Sequence, residues 1–466
     1  MAITGSDTNA GTAASPWRTI QRAANTVTAG DTVIIHAGTY VGFRVTAQGT
    51  QAAPIAFTGE GVVRIDGAAT TNRDAVLVES GAAWIRIEGL TVTGATRAGI
   101  SALDCSNITV RGNRVDANGR WGVFSSFCDD LVVEDNEVSR SNTEHGVYAS
   151  NSADRPVIRR NRIWGNGMCG VHMNGDINFG GDGVISNAVV ENNIIYNNGT
   201  KGGSAINGDG IVGAVIRNNV LDGNHASGIS LYKIDGGLPS TGNQVINNTV
   251  RMASDARWAV NIQDGSTGNV LRNNVLLHAS STRGAIDACA GCTSGMISDH
   301  NAVVGRFSIG GTVVSLTGWR AQTGTDASSF VATDAQLFTN AALGDLTLRA
   351  GSPAIDQGLA QGAPATDVLG TLRPQAGAID IGAYEHCTGP CTGQPDPGDP
   401  GDGGDPGDGG DPGDGEDPPA GDDGDFFVGP PRADEEAGCR AGRSSGAGWL
   451  VLVLGALVGR RRRRCS

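Results

Sequence analysis

The sequence predicts an all-β fold, a right-handed parallel β-helix, and three observations carry that prediction: an asparagine-anchored element that recurs along the chain, a glycine-rich and aromatic-poor composition, and apolar runs of strand length. The anchor residues are Asn113, Asn136, Asn161, Asn193, Asn219, Asn248, Asn274 and Asn301, separated by 23, 25, 32, 26, 29, 26 and 27 residues. That interval is the contour of one three-strand coil. Each repeat reads as an apolar strand, Asn, one residue, Val/Ile/Leu, then Asn-Gly and a Gly-Val/Ile that opens another strand. Leucine-rich repeats have a similar period, but the spaced leucines they need are absent. With 72 glycines in 466 residues, 5% aromatic and 18% charged residues, the chain does not suit an ordinary two-layer domain, while 39% apolar residues supply a long core.

One coil cannot bury its own core, so the strands must stack coil on coil. The repeated Asn is expected to satisfy backbone groups at a turn and to stack as a ladder, with no part in catalysis. Five segments follow in order: residues 1–66 as N-terminal cap and first coils, 67–338 as the helix repeats, 339–391 as a C-terminal capping module, 392–436 as a linker and 437–466 as a tail. In the first segment, Thr19 to Val27 reads as a short amphipathic helix able to plug the open end, where core and strand edges would otherwise be exposed.

The opening, with Ser15-Pro16-Trp17-Arg18-Thr19-Ile20, Ala29-Gly30-Asp31-Thr32-Val33 and Ala37-Gly38-Thr39-Tyr40, resembles the N-terminal cap of bacterial β-helix proteins of the pectate-lyase-like group. Gly351-Ser352-Pro353-Ala354-Ile355-Asp356, Gly370 to Pro374 and Gly377 to Glu385 resemble the choice-of-anchor Q module that closes many exported β-helix proteins.

Charge is concentrated late in the chain. Of the acids behind the net charge of −14, twelve lie between Thr392 and Pro430 with no base among them. Such Gly-Asp-Pro repeats bury nothing, repel one another and are expected to form a disordered, extended spacer. After it come Cys439, a short apolar helix candidate from Ser444 to Gly459, and Arg460 to Arg464. That order resembles the myxobacterial C-terminal sorting signal, which implies Cys439 as the anchoring or processing point, sorting machinery and a membrane as partners, and a location at the cell surface or outer envelope. No Lys/Arg stripe with interleaved aromatics is present, which argues against nucleic acid as a partner. No charged and then apolar leader precedes the first element, so the start reads as truncated.

Nine cysteines divide by spacing. The short pairs Cys289/Cys292 and Cys387/Cys391 would suit metal or redox roles in a cytosolic protein, but a second CxxC at zinc-ribbon spacing is missing, and disulfides in an oxidising compartment are expected. Cys105 and Cys128 occupy equivalent turns of neighbouring coils, ~4.8 Å apart, within reach of a disulfide. Cys169 is left as a buried thiol.

Function is sought on the outer wall. Reading each Gly-Val/Ile strand with the residue after Gly inward, the outward column runs Ser101, Phe124, Tyr148, His172, Val212, Ser230, Asn261, Asp287. Two residues on lie Asn174, Tyr232 and Gln263, and just before the Gly lie Trp121, His145, Asp209 and Ser227. A polysaccharide groove would therefore gather Trp121, Phe124, Asn174 and Tyr232 as binding residues, with His145, Tyr148, His172 and Lys233 as proton-moving candidates. Stacked ladders without chemistry are the alternative. The long interval before Asn193 inserts an acidic loop, and Asp176, Asp182 and Asp209 offer oxygen ligands suited to Ca²⁺.

Asn207-Gly208-Asp209-Gly210 resembles the Asn-x-Asp-Gly coil of calcium-dependent β-helix pectate lyases, although the following coil, Asn224 to Lys233, lacks the paired aspartates of that group. The resemblance implies a carbohydrate-active surface protein, a uronan lyase above all. A non-catalytic adhesin or glycan-binding rod is the rival. A glycoside hydrolase would need two facing carboxylates ~5–9.5 Å apart, and no adjacent-coil pair of outward acids supplies them.

Overall fold

The computed structural model describes residues 1–71 and 73–391. They form a right-handed β-solenoid of about 12 turns. Cys439 and the segments 392–436 and 437–466 lie outside the described residues.

Each coil lays down three short strands that pair in parallel with those above and below. The first wall stacks Val132–Glu134 on Val157–Arg159, Val189–Glu191 and Val215–Arg217. The second stacks Glu137–Ser139 on Arg162–Trp164 and Ile194–Tyr196. The third stacks Val147–Ser150 on Val171–Asn174, then on Ser204–Asp209 and Ser227–Tyr232. Inward positions hold Val133, Ile158 and Val190 on one wall and Val147, Val171 and Ile206 on another, all fully buried.

The predicted asparagine ladder stands between the first and second walls. Asn113 N–H donates to Asn136 Oδ1 at 2.9 Å, Asn136 N–H to Asn161 Oδ1 at 3.0 Å, and the chain of bonds continues to Asn301. Every amide in it is buried, so each bond replaces a hydration that burial removes. The preceding residue turns the chain through the left-handed region, as at Asp135, Arg160, Asn192 and His300. A second ladder, Asn166 to Asn198 to Asn224, stands at the turn into the third wall.

The N-terminal plug is shorter than predicted. The helix spans Ile20–Ala24, capped by the Thr19 side chain, and buries Ile20, Ala23 and Ala24. At the other end, the solenoid is closed by the hairpin Arg306–Ile309 with Thr312–Ser315 and the helix Leu316–Thr323, whose Trp319 is fully buried 5.0 Å from the Phe307 ring. The segment predicted as a C-terminal cap, 339–391, instead lies along the flank. Its Leu346, Leu348, Ala354, Ile381 and Ala383 pack on the outward Val220, Val275 and Leu277 of the second wall. Asn218, Asn247 and Asn273, each preceding a ladder asparagine, donate to its Thr366, Asp380 and Leu359 carbonyls. Apolar residues on the outside of that wall dictate the placement, since they need cover.

Three disulfides join Cys105 to Cys128, Cys289 to Cys292 and Cys387 to Cys391; Cys169 is free and buried.

Candidate functional site on the third wall

Strand register places the outward column of the third wall as Ser101, Phe124, Tyr148, His172, Asn207, Ser230, Asn261 and Asp287. Asn207 stands where the sequence reading put Val212. The strand after the acidic loop opens at Ser204 with Ala-Ile, whereas Gly210-Ile211, which mimics the usual opening, begins a two-residue strand paired with Ile185–Ser186. Asp209 moves with that correction. It joins Asn174 and Tyr232 in the neighbouring column, and Cys169 follows Trp121 and His145 in the column before the glycines.

Aromatic rings run up the wall in contact. Trp121 stacks on Phe124 at 4.1 Å, Phe124 meets Tyr148 at 5.4 Å, and Tyr148 stacks on His172 at 4.8 Å between centroids. Arg120 lies over Trp121 at 4.4 Å and Arg97 over Phe124 at 5.3 Å. Trp121 and Phe124 are left only 6% and 7% exposed, so they brace the wall and do not form the open sugar platform expected of them. Tyr148, His172 and Tyr232 are the half-buried members.

His145, Tyr148 and His172 do converge, with His145 and His172 centroids 4.5 Å apart. Their nitrogens face one another: His145 Nε2 lies 3.0 Å from His172 Nδ1, and Cys169 N–H donates to His145 Nδ1 at 3.2 Å. His172 Nε2 is buried without a partner. Neither ring presents a nitrogen to the groove, which corrects their reading as groove acid and base. Burial holds both histidines neutral, His172 down to about 3 and His145 well below the usual range, the latter helped by His172 and Arg120. Lys233 is engaged as well, its Nζ donating to the Gly237 carbonyl at 3.0 Å.

The part-exposed polar groups beside them are Tyr148, Tyr232 and Asp235, with Asn174 buried among them at 4% exposure. Asn174 Nδ2 lies 3.5 Å from the Tyr148 hydroxyl, and Asn207 donates to the Tyr232 hydroxyl at 2.7 Å. Burial, with Asp176, Glu144 and Asp235 nearby, pushes the Tyr148 phenol up to about 12, and Tyr232 moves the same way. Both remain proton donors. Asp235 is pushed up by burial and by the charges of Asp209 and Asp176, against a lowering hydrogen bond from Asn174, which suits it to accept a proton. The sequence reading missed Asp235 because it sits in a loop outside the strand columns.

Calcium does not fit as expected. Asp209, 2% exposed, accepts the backbone N–H groups of Ile234, Asp235 and Gly236 at 2.9–3.0 Å, so both its oxygens serve the 233–239 loop. Asp176 and Asp182 accept from Asn178 and Val184 within their own turns. That loop and 175–183 bind each other through Ile177 N–H to Asp235 O and Gly237 N–H to Gly183 O, forming a lip on which Phe179 and Ile234 are 70% and 74% exposed.

Further along the same wall a cleft of about 400 Å³ is lined by Arg257, Trp258, Asn261, Gln263, Arg283 and Asp287. The sequence columns contained Asn261, Gln263 and Asp287 but not the two arginines, which lie in the turn before each strand.

Fold and site together define a right-handed parallel β-helix protein with a polar cleft on one wall. The family described as a right handed beta helix region matches residues 74–250. Among solved structures, a pectate lyase, Pel9A, superposes with a TM-score of 0.59 at 16% identity, over 83% of this chain and 95% of its own. An alginate lyase from Paenibacillus sp. str. FPU-7 gives 0.45 at 22% identity over 57% and 93%, and PfbA, a surface adhesin of Streptococcus pneumoniae, 0.40 at 11% identity over 62% and 84%. At these identities the likeness is one of fold. No curated protein matches the sequence.

Proposed function

We propose that the third wall binds an extended acidic polysaccharide and that the chain acts on it as a lyase-like enzyme, displayed on the cell surface through its C-terminal tail. The observation that carries this reading is the alignment, on one wall, of Tyr148, Asn174, Tyr232 and Asp235 with the Arg257/Arg283 cleft. From the Tyr148 coil to the Asn261 coil is four strand spacings, ~19 Å, enough for several sugar units.

Elimination on a uronan needs its carboxylate neutralised, the C5 proton removed and the leaving oxygen protonated. Arginines hold a carboxylate through paired N–H donors. Asp235 is the proton acceptor in this reading, and Tyr148, which keeps its proton across the physiological range, is the donor. The C5–H electrons form the C4–C5 double bond as the C4–O bond breaks. This route calls on no calcium, since both Asp209 oxygens accept loop amides.

The test is ultraviolet absorbance of unsaturated uronates with pectate, alginate and glycosaminoglycans. Asp235→Asn and Tyr148→Phe should each lower turnover at least about a hundredfold. A flat trace with retained uronan binding would favour a glycan-binding rod, a reading supported by the burial of His145, Trp121 and Phe124. Surface display is tested by protease shaving of intact cells, which should release the β-helix.

A further inference from the structure

Behind the groove lies a cluster to which the carbohydrate reading gives no task. Cys169 and His172 form a Cys-Gly-Val-His sequence on one coil, and His145 lies on the coil before it. One donor atom from each of the three residues lies within 4.8 Å of the other two, the single such His/Cys/Asp/Glu group among the described residues. Cys169 is 1% exposed and its Sγ accepts the Ser204 N–H at 3.4 Å. The covering loop comes so close that a Cβ at Gly203, where φ is +96°, would meet this sulfur at 2.6 Å.

The hydrogen bonding of the cluster is incomplete. Cys169 N–H occupies His145 Nδ1, so the proton of that neutral ring is on Nε2 and points to His172 Nδ1. The His172 proton is then on Nε2, which is buried and has no acceptor. His172 Nδ1 keeps its lone pair free of protons and faces His145 Nε2 at 3.0 Å.

We infer that His145, Cys169 and His172 form a binding site for a borderline-soft divalent cation of the Zn²⁺ class. Thiolate with two imidazoles is a donor set such ions select over calcium or magnesium. Tetrahedral coordination at the usual bond lengths puts donors roughly 3.3–3.8 Å apart, so the two ring nitrogens, now 3.0 Å apart, open slightly while separations of up to 4.8 Å in the cluster close by about 1 Å. The cation displaces the thiol proton to solvent and bonds Sγ as thiolate. At His145 the ring proton moves from Nε2 to Nδ1, giving up the 3.2 Å bond from Cys169 N–H. Glu144, whose Oε2 lies 3.9 Å from His145 Nε2, reaches the fourth position only by releasing the Trp121 Nε1–H that this oxygen accepts at 2.7 Å. Its partial exposure gives the ion a way in from the surface.

Chelator-stripped full-length protein titrated with Co²⁺ tests the inference. One equivalent should bind, with a thiolate-to-cobalt charge-transfer band that Zn²⁺ abolishes and that Cys169→Ser lacks. The band should survive serine at both tail cysteines, Cys439 and Cys465. His172→Gln should weaken binding at least about tenfold. Cobalt that binds without the band, or a band unchanged in Cys169→Ser, would overturn the site. Should the variants unfold, anomalous diffraction from wild-type crystals grown with Zn²⁺ decides: a peak among the three side chains supports the site, and its absence there refutes it.

Discussion

The Asp209 carboxylate caps Ile234, accepting its backbone N–H at 2.9 Å, and holds the next two amides of the same loop in the same way. A buried negative charge is thereby matched by three aligned N–H donors, and the groove lip carrying Asp235 is fixed to the third wall.

Asp209→Asn tests that role. The amide retains one acceptor oxygen but turns an N–H₂ toward a backbone donor, costing about 1.5–3 kcal/mol. Urea unfolding should show that loss, and hydrogen exchange should quicken at residues 233–237. Added Ca²⁺ should leave the wild-type Tm unchanged, since the carboxylate is already engaged. A calcium-dependent rise in Tm that Asp209→Asn removes would overturn this account.

Asn161 is tied on both sides within the ladder. Its Oδ1 accepts from Asn136 N–H and Nδ2, and its Nδ2 donates to Val133 O and Asn193 Oδ1. Asn161→Ala strands these partners in a buried turn and should cost about 3 kcal/mol. Asp likewise lacks the donors and should rescue little. A loss under about 1 kcal/mol would mean that water enters the turn in place of the amide.

These cases show what the sequence made legible. Asn161 lay in a column of eight regularly spaced asparagines, so coil, turn and ladder were all readable from period alone. Asp209 was misplaced because the insertion at 175–184 broke the period and Gly210-Ile211 looked like a wall strand. Strand columns say which residues face outward; they do not say how deeply neighbours bury them, hence Trp121 and the histidine pair. Asp235, Arg257 and Arg283 sit in turns, where no periodicity points to a shared face. The flank docking of 338–385 was hidden for a further reason, since an apolar residue on an outward position looks the same whether covered or bare.

Asp116 makes stability depend on acid. It is 8% exposed and accepts from Ser139 Oγ at 2.8 Å and Arg140 Nε at 2.7 Å. Burial alone would raise its pKa, but the hydrogen bonds from Arg140 and Ser139 and the Arg140 charge outweigh burial and hold it below the usual carboxylate value of 3.8. A folded-state pKa below the unfolded one gives stability that is present above 3.8 and lost as pH falls through the folded value. Thermal melts of Asp116→Asn should therefore show lower stability at neutral pH and a shallower decline as pH falls from about 4 to about 2, from the ordinary carboxylate value to below it. Parallel declines in both proteins would assign the acid limb to other carboxylates.

The arginine cleft decides which polysaccharides the wall prefers. Arg283 is exposed, and Arg257 is exposed while its Nη2 donates to Gly203 O at 2.7 Å. Asn261, Gln263 and Asp287 beside them can bond sugar hydroxyls, but only the guanidinium groups attract a uronate carboxylate. Replacing Arg283 alone leaves Arg257 in place, so its effect should be partial, about threefold to tenfold in Kd for pectate or alginate. The double change to Ala should cost more than about thirtyfold, near 2 kcal/mol, with little change for a neutral glucan. Wild-type affinity should also fall as salt rises, because exposed charges act across a Debye length of about 10 Å at 0.1 M, and the double variant should lose most of that slope. Equal losses for acidic and neutral glycans would mean that the arginines merely shape the cleft, and the preference for uronans would have to come from another part of the wall.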